Sequence, residues 1–129
     1  MKSLTAEWVA KADSDYWVMS REAQVTEQPS PDAICFHAQQ CIEKYAKAFL
    51  QEQAIAFERT HDLVYLHTKC AAVDPAFSGY KTDFEKLDDY SVDIRYPGDS
   101  VAEGEAREAV LITQRVRAFI RAQLGLPER

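Results

Sequence analysis

Cys35-Phe36-His37-Ala38-Gln39-Gln40-Cys41-Ile42-Glu43-Lys44-Tyr45-Ala46-Lys47-Ala48-Phe49-Leu50 decides the fold. With Ile34 ahead of it, Ala38, Cys41, Ile42, Tyr45, Ala48 and Phe49 recur at helical spacing and form one apolar stripe. Glu43, Lys44 and Lys47 gather on the other side of the same wheel. Phe36 falls off the stripe, which predicts cover on two sides over the N-terminal half. Ser30 before Pro31 is a start signal. The hydroxyl can accept a backbone N–H at the N-cap, and proline occupies a first position whose own N–H would go unused. The spacing predicts a helix from 31 to about Gln53, long and apolar enough to be the central helix of a bundle.

Working outward, residues 4–23 repeat Trp8, Ala12, Tyr16, Met19 and Ala23 at helical spacing. Trp17 lies opposite that stripe, flanked by Asp13 and Arg21. It reads either as a partly covered surface residue or as a dimer contact. Downstream of the central helix, Thr60 can cap a shorter helix through Val73 that turns Leu63, Leu66 and Cys70 inward, and Asp74-Pro75 stops it. A fourth segment, 77–91, directs Phe77, Tyr80, Phe84, Leu87 and Tyr90 inward. An irregular stretch over 92–99 leads to Ser100-Val101-Ala102-Glu103, which has capping-box form. Ala106, Ala109, Thr113, Val116, Ile120 and Leu124 make the last stripe, closed by Gly125 and Pro127. No segment alternates strictly. The reading is all-α: an up-and-down antiparallel bundle of four main helices plus a short one, with short connections.

The 129 residues suit a single domain, 1–129, that buries roughly 65–70% of its unfolded surface. Twenty-one acidic against fifteen basic residues give a net charge of −6, which disfavours an unassisted grip on duplex phosphates. The three cysteines, Cys35, Cys41 and Cys70, form no Cys-x-x-Cys pair. Cys35 and Cys41 point about 240° apart on a helix, so small buried thiols in a reducing cytoplasm are expected. Residues 1–7 lack the apolar run of a signal peptide, and no stretch has the composition of a membrane span. A soluble cytoplasmic protein is expected.

Familiar chemical motifs are missing. There is no glycine-rich phosphate loop and no His-Glu-x-x-His. His61 and His67 are six apart and diverge on a helix, so they make no zinc pair. The acidic run Asp83, Glu85, Asp88, Asp89 and Asp93 reads as a solvated face, because two carboxylates without further oxygen ligands hold magnesium poorly. No metal and no cofactor are expected. Two polar segments remain. In Arg59-Thr60-His61-Asp62 the histidine sits where a helix begins. It either packs beside a local cap or joins Arg59 in a phosphate or carboxylate pocket. In Arg95-Tyr96-Pro97 the arginine could fork onto a phosphate and the tyrosine stack on a base. Alternatively, Tyr96 and Pro97 seal the bundle end while Arg95 pairs with Asp93 or Asp99.

Taken together, Phe36-His37-Ala38-Gln39-Gln40-Cys41-Ile42-Glu43-Lys44-Tyr45-Ala46-Lys47-Ala48, Arg59-Thr60-His61-Asp62-Leu63 and Arg95-Tyr96-Pro97 give the chain a resemblance to the HEPN family of small prokaryotic helical domains. The resemblance spans nearly the whole chain. It implies a bundle like the substrate-binding subunits of nucleotidyltransferases, a homodimer, and pairing with a small nucleotidyltransferase, often as a toxin–antitoxin couple. Many members of that family are ribonucleases that use an arginine, four to six intervening residues and a histidine across the dimer. Here the positions that follow Arg95 at that spacing are Ser100, Val101 and Ala102, and no histidine follows His67. Acid–base cleavage of RNA needs such a proton carrier. The expectation is therefore a non-catalytic module that binds a nucleotide or RNA, or docks a nucleotidyltransferase, through Arg59, His61, Arg95 and Tyr96. The alternative is a metal-independent ribonuclease toxin with an atypical site.

Overall fold

The computed structural model describes residues 1–91 and 96–128. Five α-helices account for most of them: α1 Ser3–Glu22, α2 Pro31–Glu52, α3 Leu63–Val73, α4 Lys81–Asp88 and α5 Glu103–Gln123, with a 3-10 turn at Pro75–Tyr80 between α3 and α4. No strand occurs among the described residues, and none of their helices is long and apolar enough to cross a membrane. The all-helical bundle read from the periodicity is what forms.

The central helix starts as its sequence dictates. Ser30 Oγ accepts from Ala33 N at 3.2 Å, with Pro31 at the first position. Ile34, Ala38, Cys41, Ile42, Tyr45, Ala48 and Phe49 are all buried, and α2 packs against α1, α3, α4 and α5. Two expectations for it change. Glu43 and Lys47 are buried rather than solvated, at 2% and 6% exposure. The all-round cover extends through residues 45–50, the C-terminal half, while Phe36 and His37 stay partly open. The cause is the connection 53–62, which lies along α2 without regular structure. Phe57 there packs on Trp8 of α1, and the His61 carbonyl accepts from Gln39 of α2. Cys70 reaches the Ala46 carbonyl further along, so α3 runs in the same sense as α2.

Other element ends shift for identifiable reasons. Asp62, not Thr60, caps α3: its Oδ1 accepts from Tyr65 N at 3.0 Å, while Thr60 Oγ1 accepts from Asp62 N. The 77–91 segment divides because Pro75 starts a tighter turn, after which Phe77, Phe84 and Leu87 are buried as expected. The last helix begins at Glu103 rather than beside Ser100. Glu105 Oε1 reaches back to Ala102 N at 3.3 Å, and Val101 N donates to Asp32. On α1 the buried line is Thr5, Val9, Ala12, Asp15 and Met19. Trp8 and Tyr16 flank it and Ala23 is exposed. At the far end Gly125 turns left-handed at φ +73°, Leu126 N donates to Arg121 O, and Arg121 Nε donates to Pro127 O at 2.7 Å.

Two of the acidic-run carboxylates are structural. Asp83 is buried and takes a two-pronged grip from Arg115 at 2.7 and 2.8 Å, and Asp88 Oδ1 accepts from Leu63 N. No group suited to a metal ion forms among the described residues. The three cysteines are buried and make no disulfide. Burial raises the pKa of Cys41 well above its usual value and pushes Cys70 up to about 12, so both stay protonated thiols at neutral pH.

Candidate functional site, the charged faces of the central helix

Polar side chains of α2 are organised around three carboxylates. The first is Glu43. Lys47 Nζ lies 2.9 Å from Oε2, His61 Nδ1 lies 3.0 Å from Oε1, and Gln39 Nε2 donates to Oε1 at 3.2 Å. Gln40 donates to Gln39 Oε1 at 2.7 Å, closing the amide pair on itself. Lys47 also stands 5.3 Å from the centre of the Trp8 ring. A glutamate this deep requires a cation and several donors to offset its desolvation, and Glu43 has both.

The second is Asp15 on α1, whose two oxygens hold His37 Nδ1 at 2.8 Å and Lys44 Nζ at 2.6 Å. Lys44, expected on a solvated face, is therefore tied across the α1–α2 seam. The third is Asp13, two residues before Asp15 on α1 and only partly exposed. It takes the Tyr45 hydroxyl, Arg117 Nε at 3.2 Å and Arg121 Nη1 at 3.3 Å. Burial and the hydrogen bond to Asp13 both raise the Tyr45 pKa, keeping the hydroxyl a neutral donor.

The residues singled out by sequence fall as follows. His61 stands at the surface, 69% exposed, with Nδ1 turned to Glu43, which leaves Nε2 as the outward nitrogen. Arg59 is exposed and makes no ion pair with a described residue. Two backbone donors at the start of α3 have side-chain partners: Tyr65 N donates to Asp62 and Leu63 N to Asp88. Burial raises the pKa of Asp88 despite the Leu63 N–H. The same bond holds the end of α4 beside the start of α3, next to His61 and Asp62. Tyr96 is 74% exposed and does not seal the bundle end. Arg95, with Asp93, lies outside the described residues. Trp17 is 48% exposed, edge-on to Tyr16. His67, by contrast, is buried with Nε2 2.7 Å from the Phe77 carbonyl.

Residues 5–123 match the family model described as HEPN domain, nearly the whole length of the chain. The chain belongs to the HEPN domain family. No curated protein and no solved structure matches it significantly. Within this HEPN chain, the family-like spelling of α2 turns out to be the polar lattice itself. His37, Gln39, Gln40, Glu43, Lys44 and Lys47 all bond across to α1, to the 53–62 connection or to one another.

Asp13, Asp15, Arg117 and Arg121 were not marked by sequence reasoning. Arg117 and Arg121 directly follow Val116 and Ile120 of the last apolar stripe. Their position at the edge of a core-facing stripe was the available signal.

Proposed function

We propose that this HEPN domain is a non-catalytic module that binds a nucleotide or RNA, or pairs with a small nucleotidyltransferase, as one half of a toxin–antitoxin couple. The observation that carries the reading is the disposition of the histidines. No histidine follows Arg95 at the spacing the HEPN ribonucleases use, and His37 and His67 are turned onto partners of their own fold. Arg59, His61 and Tyr96 are exposed polar or aromatic groups. The Leu63–Asp88 bond holds the start of α3, just after Arg59 and His61, against the end of α4. A homodimer, with Trp17 as a contact, belongs to the same proposal.

One observation favours the second reading, a ribonuclease with an atypical site. A buried carboxylate orienting Nδ1 while Nε2 faces water is how a general base is commonly held. Incubating the purified protein with RNA decides between them. The binding module leaves RNA intact and gives a calorimetric signal with ATP that weakens at least about tenfold in Arg59→Ala or Tyr96→Ala, the loss of one charge-assisted contact or one stacked ring. RNA cleavage that disappears in His61→Ala sinks it in favour of the second reading.

A further inference from the structure

Two buried arginines meet one carboxylate where α1 approaches α5, and their donors are not used up. Arg117 and Arg121, successive turns of α5, are 5% and 6% exposed. Arg117 places Nε and Nη2 each 3.2 Å from Asp13 Oδ1. Arg121 gives Nη1 to Asp13 Oδ2 and to the Tyr45 hydroxyl, and Nε to the Pro127 carbonyl. Nη1 of Arg117 and Nη2 of Arg121 have no partner among the described residues. Neither is sealed from solvent, since the sealed side-chain atoms without a partner are the hydroxyls of Thr5 and Thr113.

The two arginines, with Asp13 and Trp17, line a cleft of about 270 Å³. The guanidinium of Arg117 sits 4.0 Å from the centre of the Tyr16 ring and 5.9 Å from that of Trp17. Burying two cations on one carboxylate leaves the desolvation cost incompletely offset. The neighbouring carboxylate does not redress this, because Asp15 is already held by Lys44 and His37. The cleft is thus locally positive on a chain whose net charge is −6.

We propose that this cleft binds a small planar organic anion, its phosphate or carboxylate on Arg117 and Arg121 and its ring against Trp17. The guanidinium fork matches either oxyanion, and a half-exposed indole is a stacking surface indifferent to ring identity. The volume lies just under the range of about 300–1,000 Å³ usual for small-molecule sites, which suits one ring with one anionic group and not an oligonucleotide. The site contains none of Arg59, His61, Arg95 or Tyr96; it shares with the preceding proposal only Trp17, the proposed dimer contact.

The test titrates adenosine monophosphate, benzoate, inorganic phosphate and adenosine into a Trp8→Phe protein, in which Trp17 is the remaining indole. Saturable quenching by the first or the second identifies the site as one for a nucleoside phosphate or for an aryl carboxylate. Phosphate or adenosine alone binds more weakly than the monophosphate. By calorimetry on the otherwise unaltered protein, Trp17→Ala, an exposed position that leaves the core untouched, weakens the bound anion about tenfold. Arg117→Gln removes binding, with circular dichroism to verify the fold. Asp13→Asn, which withdraws the competing carboxylate, tightens it, an outcome a purely structural ion pair does not give. Absence of saturable quenching at millimolar anion overturns the proposal, as does unchanged affinity in Trp17→Ala. It also fails if Trp17→Ala alters only the oligomeric state, or if Arg59→Ala abolishes the binding while Arg117→Gln does not. Unchanged ATP binding in Arg59→Ala with this cleft still active breaks the earlier reading alone.

Discussion

Glu43 and Asp13 each collect two basic side chains, yet they are finished differently. Around Glu43 the lysine, two amides and a histidine account for the carboxylate, and Trp8 with the 53–62 connection closes the space. Around Asp13 the cations outnumber the anion, spare N–H groups remain, and the two arginines line a cleft. Tyr45 and Glu43 project about 200° apart on α2, so one helix supports a saturated centre on one flank and an unsaturated one on the other. The lesson is that buried charge in this molecule serves two ends. Where every polar atom is partnered it ties elements together, and where some are left over it offers a surface for recognition.

The largest effect should come from breaking the saturated centre. Lys47→Ala leaves Glu43 buried with only an exposed histidine and two amides, and is expected to cost about 3–5 kcal/mol in urea unfolding. Lys47→Met combined with Glu43→Gln removes both charges and should recover most of it. A loss well under about 1 kcal/mol for the single change would mean that water already reaches Glu43.

On the other flank, Asp13→Ala should cost less, about 1–3 kcal/mol by the same measurement. Asp13 is partly exposed, and the arginines it abandons already border the cleft. If it proved costlier than Lys47→Ala, the description of the two centres would have to be exchanged. The smallest effect is expected for His61→Ala, below about 1 kcal/mol, because the imidazole is mostly in water and Glu43 retains Lys47. A larger loss would make His61 part of the sealed centre.

These differences were unevenly visible in the sequence. Ser30-Pro31 and the stripe from Ile34 to Phe49 are local signals, and they place α2 to within a residue. The close of α5 before Gly125 is equally local. The burial of Glu43 and Lys47 is not, because what covers them is a segment with no period of its own, anchored by Phe57 on Trp8. The cap of α3 was misplaced because Thr60 and Asp62 are both good capping residues two positions apart. The junction of Asp13 with Arg117 and Arg121 joins positions more than a hundred residues apart. No spacing rule reaches that far, although the place of both arginines beside the α5 stripe marked them as able to reach inward.

Gly125 links this long-range junction to backbone handedness. Its φ of +73° is a region that side chains with a Cβ rarely adopt. It is this turn that carries Pro127 back to the Nε of Arg121. The angle at which that guanidinium meets the cleft is therefore governed from behind, by the torsion of a residue that borders no ligand. Variation at the tail can retune the cleft's anion preference while every residue lining it stays the same.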